Sequence, residues 1–121
     1  MRDQRGLNNG VQYALLFPVA LGILLLTLQW AMVSWADSTA LAAAQDGARV
    51  AALANGSAVA GESIALDAAQ NGSLNGVAVA ITRGATRTSV TVTGSATSVL
   101  PGFAPQVSKT AEVATERLTR P

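Results

Sequence analysis

Apolar residues are spaced in three different ways along this chain, and each spacing predicts a different element. From Gly6 to Ala36 no residue is charged, and Tyr13 to Leu28 forms a continuous apolar run. An uninterrupted run of that length predicts a helix with an apolar surface all round, which suits a lipid bilayer better than a soluble core. Read as a helix, Val11 to Val33 rises about 35 Å, enough to cross a hydrocarbon layer of about 30 Å with some tilt. Beyond Asp37 the residues become small, with Ala40, Ala42, Ala43, Ala44, Ala48, Ala51, Ala52 and Ala54. Alanine is the best helix former and no proline stands between Val19 and Leu100, so the same helix is expected to run on to about Ala54. From Val77 the period drops to two. Val77, Val79 and Ile81, then Val90 and Val92, alternate with smaller or polar neighbours, which predicts a β-hairpin turning near Gly84.

Punctuation residues set the other boundaries. Asn55-Gly56 supplies a left-handed helix end, and Ser57 a cap for a second helix from about Ala58 to Gln70. Asn71-Gly72 closes that helix in the same manner. Asn55-Gly56-Ser57 and Asn71-Gly72-Ser73 also match glycosylation sequons, although they read better as helix stops. Pro101-Gly102 marks a loop over 94–106. The stretch from about Val107 to Leu118 reads either as a third strand through Ala111 and Val113 or, from its Ala-Glu-rich composition, as a helix, and strand is preferred because a two-stranded sheet alone is marginal. The expected fold is α+β: a long N-terminal transmembrane helix continuing into a small domain with a second short helix and a small antiparallel sheet. Three regions follow: 1–10 as a cytoplasmic N-terminal segment, 11–36 as the transmembrane helix, and 37–121 as an extracytoplasmic head.

Flanking residues give the span an orientation. Tyr13 lies at one end and Trp30 and Trp35 at the other, as aromatic rings favour the two membrane interfaces. Arg2 and Arg5 precede the span while Asp37 is the first charge after it, which puts the N-terminus in the cytoplasm. A cleavable secretory signal, with Ala40-Leu41-Ala42 as its small-residue site, is the competing reading. Its uncharged stretch exceeds the usual signal core.

Composition removes most enzymatic classes. Among 121 residues there is neither cysteine nor histidine, so disulfides, thiol nucleophiles, histidine metal sites and a Ser-His-Asp triad are excluded. Beyond the span the carboxylates Asp37, Asp46, Glu62, Asp67, Glu112 and Glu116 are scattered, with no supporting motif around any pair. The formal net charge of +1 gives no field for nucleic acid. No catalytic residue, metal or cofactor is expected.

The residues also spell a recognisable pattern. Gln12-Tyr13-Ala14-Leu15-Leu16-Phe17-Pro18, following Arg5-Gly6, resembles the N-terminal segment of TadE-like proteins, pilin-like components of the tight-adherence pilus machinery. The family run is Arg-Gly, a few residues, then Val-Glu-Phe-Ala-Leu, with a proline six positions after the glutamate. Here Val11 precedes Gln12 and Pro18 stands six after it. Ala43-Ala44-Gln45-Asp46-Gly47-Ala48-Arg49-Val50-Ala51-Ala52 is similar to the family's Ala-Ala-x-Glu-Gly-Ala-Arg-x-Ala-Ala stretch. Val90-Thr91-Val92-Thr93, Leu100-Pro101-Gly102 and a segment ending at Glu116-Arg117 follow in order. The resemblance implies a non-enzymatic pilus or secretion component whose partners are the lipid bilayer, other pilin-like subunits and a prepilin peptidase. Gly6 and Leu7 would mark the processing position, and Gln12 and Tyr13 the assembly region. Two departures stand out. Gln12 replaces the family's membrane carboxylate, so it accepts a hydrogen bond without supplying charge. Five residues, Leu7 to Val11, separate Gly6 from Gln12 where the family usually has four. An uncleaved form that keeps Arg2 and Arg5 therefore stands beside the processed one.

Several residues carry two readings. Gln12 is either an assembly contact or an interfacial polar group, and Gln29 and Thr27 read as interfacial. Pro18 is either a helix kink that suits lateral packing or an ordinary membrane-helix proline. Gly47 costs roughly 1 kcal/mol relative to alanine inside a helix, so a close contact is expected to offset it, by preference with the domain's own sheet. Asp46 and Arg49 are either a solvated pair or an intersubunit bridge. Val99, Leu100 and Phe103 either fold back onto the sheet or form a docking patch, with folding back preferred. Two rival functions remain: a membrane-anchored accessory or binding protein unrelated to filaments, and a small secreted protein released by signal peptidase.

Overall fold

The computed structural model describes residues 4–53 and 55–116, with side chains from Gly10 onward. Arg2, the expected helix end at Ala54, and the last residues of the third segment, Arg117 and Leu118, lie outside the described residues. Helix α1 spans Gln4–Ala52, 49 residues, and runs unbroken through Pro18. Helix α2 spans Ala58–Ala69. Three strands follow, β1 Leu74–Arg83, β2 Arg87–Ala96 and β3 Gln106–Ala114, in an antiparallel sheet of order β1-β2-β3. The architecture is the expected α+β, with a second short helix and a three-stranded sheet built against the outer half of the long one.

The head has two layers. The buried face of β2 carries Thr88, Val90, Val92, Gly94 and Ala96, and against it lie Ala36, Ala40, Ala43, Ala44 and Ala48 of α1 with Ala65 and Ala69 of α2. Val90, Val92, Thr88 and Ser73 are the largest fully buried side chains. A core of such small groups gains little per residue from burial, so close approach of the backbones has to supply packing contacts.

That approach is tightest where α2 runs back along α1. A Cβ placed on Gly61 would lie 2.7 Å from both the Gly47 carbonyl oxygen and the Ala51 Cβ. One placed on Gly47 would lie 2.9 Å from the Ala65 Cβ and 3.0 Å from the Gly61 oxygen. Gly47 therefore makes its closest contact with α2 rather than with the sheet, although Val90 also lies within 3.5 Å of the same point. The cost of a glycine in mid-helix is offset by a helix crossing that no side chain would permit.

Boundaries moved where tertiary contacts overrode local signals. Ser57 caps α2 as expected, its hydroxyl accepting from the Ala60 amide. Gly72 has the expected left-handed backbone at φ +88°. Gly56 does not. The end of α1 is held instead by the Arg83 guanidinium, which donates to the Ala51 and Leu53 carbonyls at 2.7 and 3.1 Å, and by the Glu116 amide, which donates to the Ala52 carbonyl at 2.7 Å. β2 runs through Gly94, where an added Cβ would lie 3.2 Å from the Asn75 carbonyl oxygen and 3.3 Å from the Leu74 side chain. β1 starts earlier than the alternation indicated, at Leu74, and accommodates a bulge between Asn75 and Ala78 with Gly76 at φ +62°.

These contacts order the head along α1. The α1–α2 and β1–β2 connections lie at its far end, near Ala52, while the α2–β1 and β2–β3 connections lie near the span.

Gly61→Ala should lower the thermal midpoint of the detergent-solubilised chain, because overpacking of about 1–3 kcal/mol exceeds the helix-propensity gain of about 1 kcal/mol. Gly22→Ala, which meets nothing within 4 Å, should leave it unchanged or raise it. Circular dichroism melts of both variants provide the check.

Candidate membrane and assembly interface

Two surfaces of α1 differ in kind. Over its inner half the apolar side chains point outward on all sides, and Val11, Phe17, Ile23 and Leu26 are each more than half exposed. Nothing else in the described structure covers them. By length and composition this helix is sufficient to cross a membrane. The Thr27 hydroxyl donates to the Ile23 carbonyl at 2.9 Å, so that group needs no water. Gln12 and Tyr13 are exposed near the inner end, with Pro18 one to two turns further on. Gly6 and Leu7 lie within helical backbone.

The transition between the halves falls at Gln29, which is buried rather than interfacial. Its carboxamide oxygen accepts from the Val99 and Leu100 amides at 2.8 and 3.3 Å, and its amide nitrogen donates to the Thr97 carbonyl at 3.3 Å. A single side chain thus fastens the β2–β3 loop to the helix. The expectation that Val99, Leu100 and Phe103 fold back onto the sheet is corrected here. The loop backbone is held by α1, while Val99 is 36% and Phe103 50% exposed. An isolated polar residue at the outer end of an apolar helix reads as interfacial, which hides the role of Gln29. A better signal was available, since extending the face of Ala36, Ala40 and Ala43 back by two turns reaches it.

Just above, Thr39 accepts from the Asn71 side-chain amide at 2.8 Å, and Asn71 in turn accepts from the Ser73 amide and hydroxyl at 3.0 and 2.6 Å. Asp37 pairs with Lys109 of β3 at 3.1 Å, with both side chains partly shielded. These contacts tie α2's end and β3 to the first turns of α1 beyond the span. The second candidate group splits. Gly47 is buried at the α2 crossing, whereas Asp46 and Arg49 face outward and approach only to 3.9 Å. With side chains about half and three-quarters exposed, that pair contributes little to the fold. Arg49 lines an open groove between α1 and β3, together with Leu41, Gln45, Thr110 and Glu112. Glu112 is engaged by Arg87 at 3.0 Å. Among the described residues no three acidic, histidine or cysteine side chains gather to hold a metal.

Residues 11–49 match the family model of TadE-like proteins, about a third of the chain. The matched stretch begins one residue before Gln12 and ends at Arg49, so it includes the exposed span, Gln29, the alanine face and Gly47. No curated protein and no solved structure matches the chain.

Replacing Gln29 by leucine would keep the volume and leave two loop amides without their acceptor. Amide exchange at Val99 and Leu100 should rise by about tenfold or more, since an unsatisfied buried donor costs about 1–3 kcal/mol and 1.4 kcal/mol is about tenfold. Thr27→Val, which breaks only a bond within its own helix, should leave those rates unchanged.

Proposed function

We propose that this chain is a TadE-like, pilin-like membrane component of a tight-adherence-type pilus or secretion assembly. The observation that carries the reading is the coincidence of the family match with two functional halves of one helix. The match at 11–49 covers both the bare apolar span and the face on which the head is built. A helix that is naked at one end and clad at the other suits a subunit that stands in the cytoplasmic membrane and packs laterally beside similar helices. Arg2 and Arg5 favour an N-terminus in the cytoplasm and a head outside.

In this role the protein performs no chemistry. Its span occupies lipid until neighbouring pilin-like helices replace that lipid, and Pro18 shapes the surface they meet. Gln12, exposed near the cytoplasmic end, offers an uncharged hydrogen-bond acceptor where the family places a carboxylate, so its pairing with a neighbour's amine would be weaker. Gly6 and Leu7 are the processing position for a prepilin peptidase. The backbone there is helical from Gln4, so the enzyme would have to unwind about one turn to cut it.

Release by signal peptidase after Ala42 fits the packing poorly. It would remove Gln29, Ala36, Thr39 and Ala40, and with them the loop anchor, two buried core groups and the partner of Asn71.

A clean deletion should abolish surface fibres or secretion by the partner system, and a photo-crosslinking residue at Leu21 should capture pilin-like subunits from the membrane. Normal fibres together with no such capture would overturn the proposal. Intact mass of the chain extracted from its native membrane reports processing: a chain beginning near Leu7 means the peptidase accepts this sequence, and one beginning at Met1 means an uncleaved anchor.

A further inference from the structure

We infer that the β2–β3 loop is a second membrane contact, a rigid turn that seats Val99, Pro101 and Phe103 in the outer headgroup–acyl boundary beside the span. The inference rests on the reading of α1 as membrane-spanning and adds to it a lipid-binding surface on the head itself.

Height along the helix is the first argument. Val11 to Leu28 rises about 27 Å, which nearly fills a hydrocarbon layer of about 30 Å and leaves Gln29 at its outer edge. The Val99 and Leu100 amides are bonded to that same Gln29 side chain, so the loop is held at the depth where hydrocarbon gives way to headgroups. Trp30, three-quarters exposed, is the next residue on the helix, and indole rings favour this zone.

Chemistry agrees with height. The chain carries no charge from Thr88 to Ser108. The first ion pair above the span, Asp37–Lys109, begins about 12 Å further along the axis from Gln29. At the far end of the head the β1–β2 turn is flanked by Arg83 and Arg87 and carries no large apolar group. The two ends of the sheet are therefore dressed for different surroundings.

The turn is also built to hold its shape. The Phe103 amide donates to the Leu100 carbonyl at 3.2 Å, with Pro101 and Gly102 between them and Gly102 at φ +74°, the arrangement of a type II turn. At its base the Ala96 amide donates to the Pro105 carbonyl at 2.8 Å, and the Thr97 hydroxyl to the Gly72 carbonyl at 2.7 Å. The apolar tip is fixed outward rather than left free to collapse, and a lipid surface is the occupant that its depth selects. With a helix and a loop both in the bilayer, the head loses its freedom to swing about the span.

The chain has no cysteine, so single cysteines introduce a probe cleanly. Full-length Phe103→Cys, Val99→Cys, Leu21→Cys and Glu62→Cys variants would each carry an environment-sensitive nitrobenzoxadiazole label. They would be reconstituted at high lipid excess in phosphatidylcholine vesicles containing phosphatidylglycerol, with nitroxide quenchers at shallow or deep acyl positions. Labels at 103 and 99 should be blue-shifted and quenched by shallow nitroxides, at a depth of about 5–10 Å. The label at 21 should respond to deep nitroxides, and the one at 62, high on the exposed face of α2, to neither. Quenching at 21 with solvent-like emission at both 99 and 103 would overturn the loop contact and leave the span intact. Absence of quenching at 21 would overturn the membrane reading itself. Shielded labels at 99 and 103 that no lipid nitroxide quenches would mean a protein partner covers the turn, which also overturns the inference.

Discussion

The structure depends on one helix whose two halves carry different surfaces. Along its inner half α1 meets no partner among the described residues, and its large apolar side chains face outward in all directions. Along its outer half the same helix must lie against a sheet and a second helix, so the residues on that face shrink to alanine and glycine. Burial of large groups cannot hold this head together, since its biggest fully buried side chains are valines. What remains is contact at short range: two glycines whose carbonyls each occupy the other's missing side chain, and alanines that bring the helix axis down onto β2. Dispersion rises steeply as surfaces close, so small residues stabilise here through proximity rather than area.

Polar contacts finish the work at points where small residues leave no grip. Gln29, Thr39 and Asp37 lie along the first turns of the covered half of α1, and each binds a different piece of the head: the β2–β3 loop, the end of α2 and strand β3. The Gln29 site is the one most sensitive to change, because a buried carboxamide that serves three backbone groups has no close substitute. Thr39 is buried as well, whereas the Asp37–Lys109 pair is partly wet and tolerates more.

Much of this was legible in the sequence because the chain changes its hydrophobic period cleanly. Uninterrupted apolar residues gave α1, the Ser57 cap gave α2 to within a residue, and alternation at Val77–Val92 gave the sheet. Errors arose where a distant group decided a local question. Asn55-Gly56 looked like a left-handed stop, yet Arg83 and Glu116 reach across from the sheet to hold that end, and Gly56 is there because the Val50 carbonyl leaves no room for a side chain. Gly94 reads as the start of a loop, yet it lies within β2, packed by the Asn75 carbonyl and the Leu74 side chain. Gly47 is expected against the sheet, and the nearer neighbours are Ala65 and Gly61 of α2, which nothing in local spacing connects to it. Gln29 was read by the company of its immediate neighbours, although its helical face already belonged to the head.

The attachment of the last turn of α1 has a mechanical side. Arg83 closes strand β1 onto the Ala51 and Leu53 carbonyls, and the backbone just after β3 closes onto Ala52. Both edge strands are therefore clamped to the same tip of the same rod, with Gln29 gripping the loop about 35 Å lower down. Tension applied along the rod does not peel one strand at a time. It loads both edges and the loop together in shear, so a head assembled from alanine, glycine and valine resists extraction far better than its modest core would indicate.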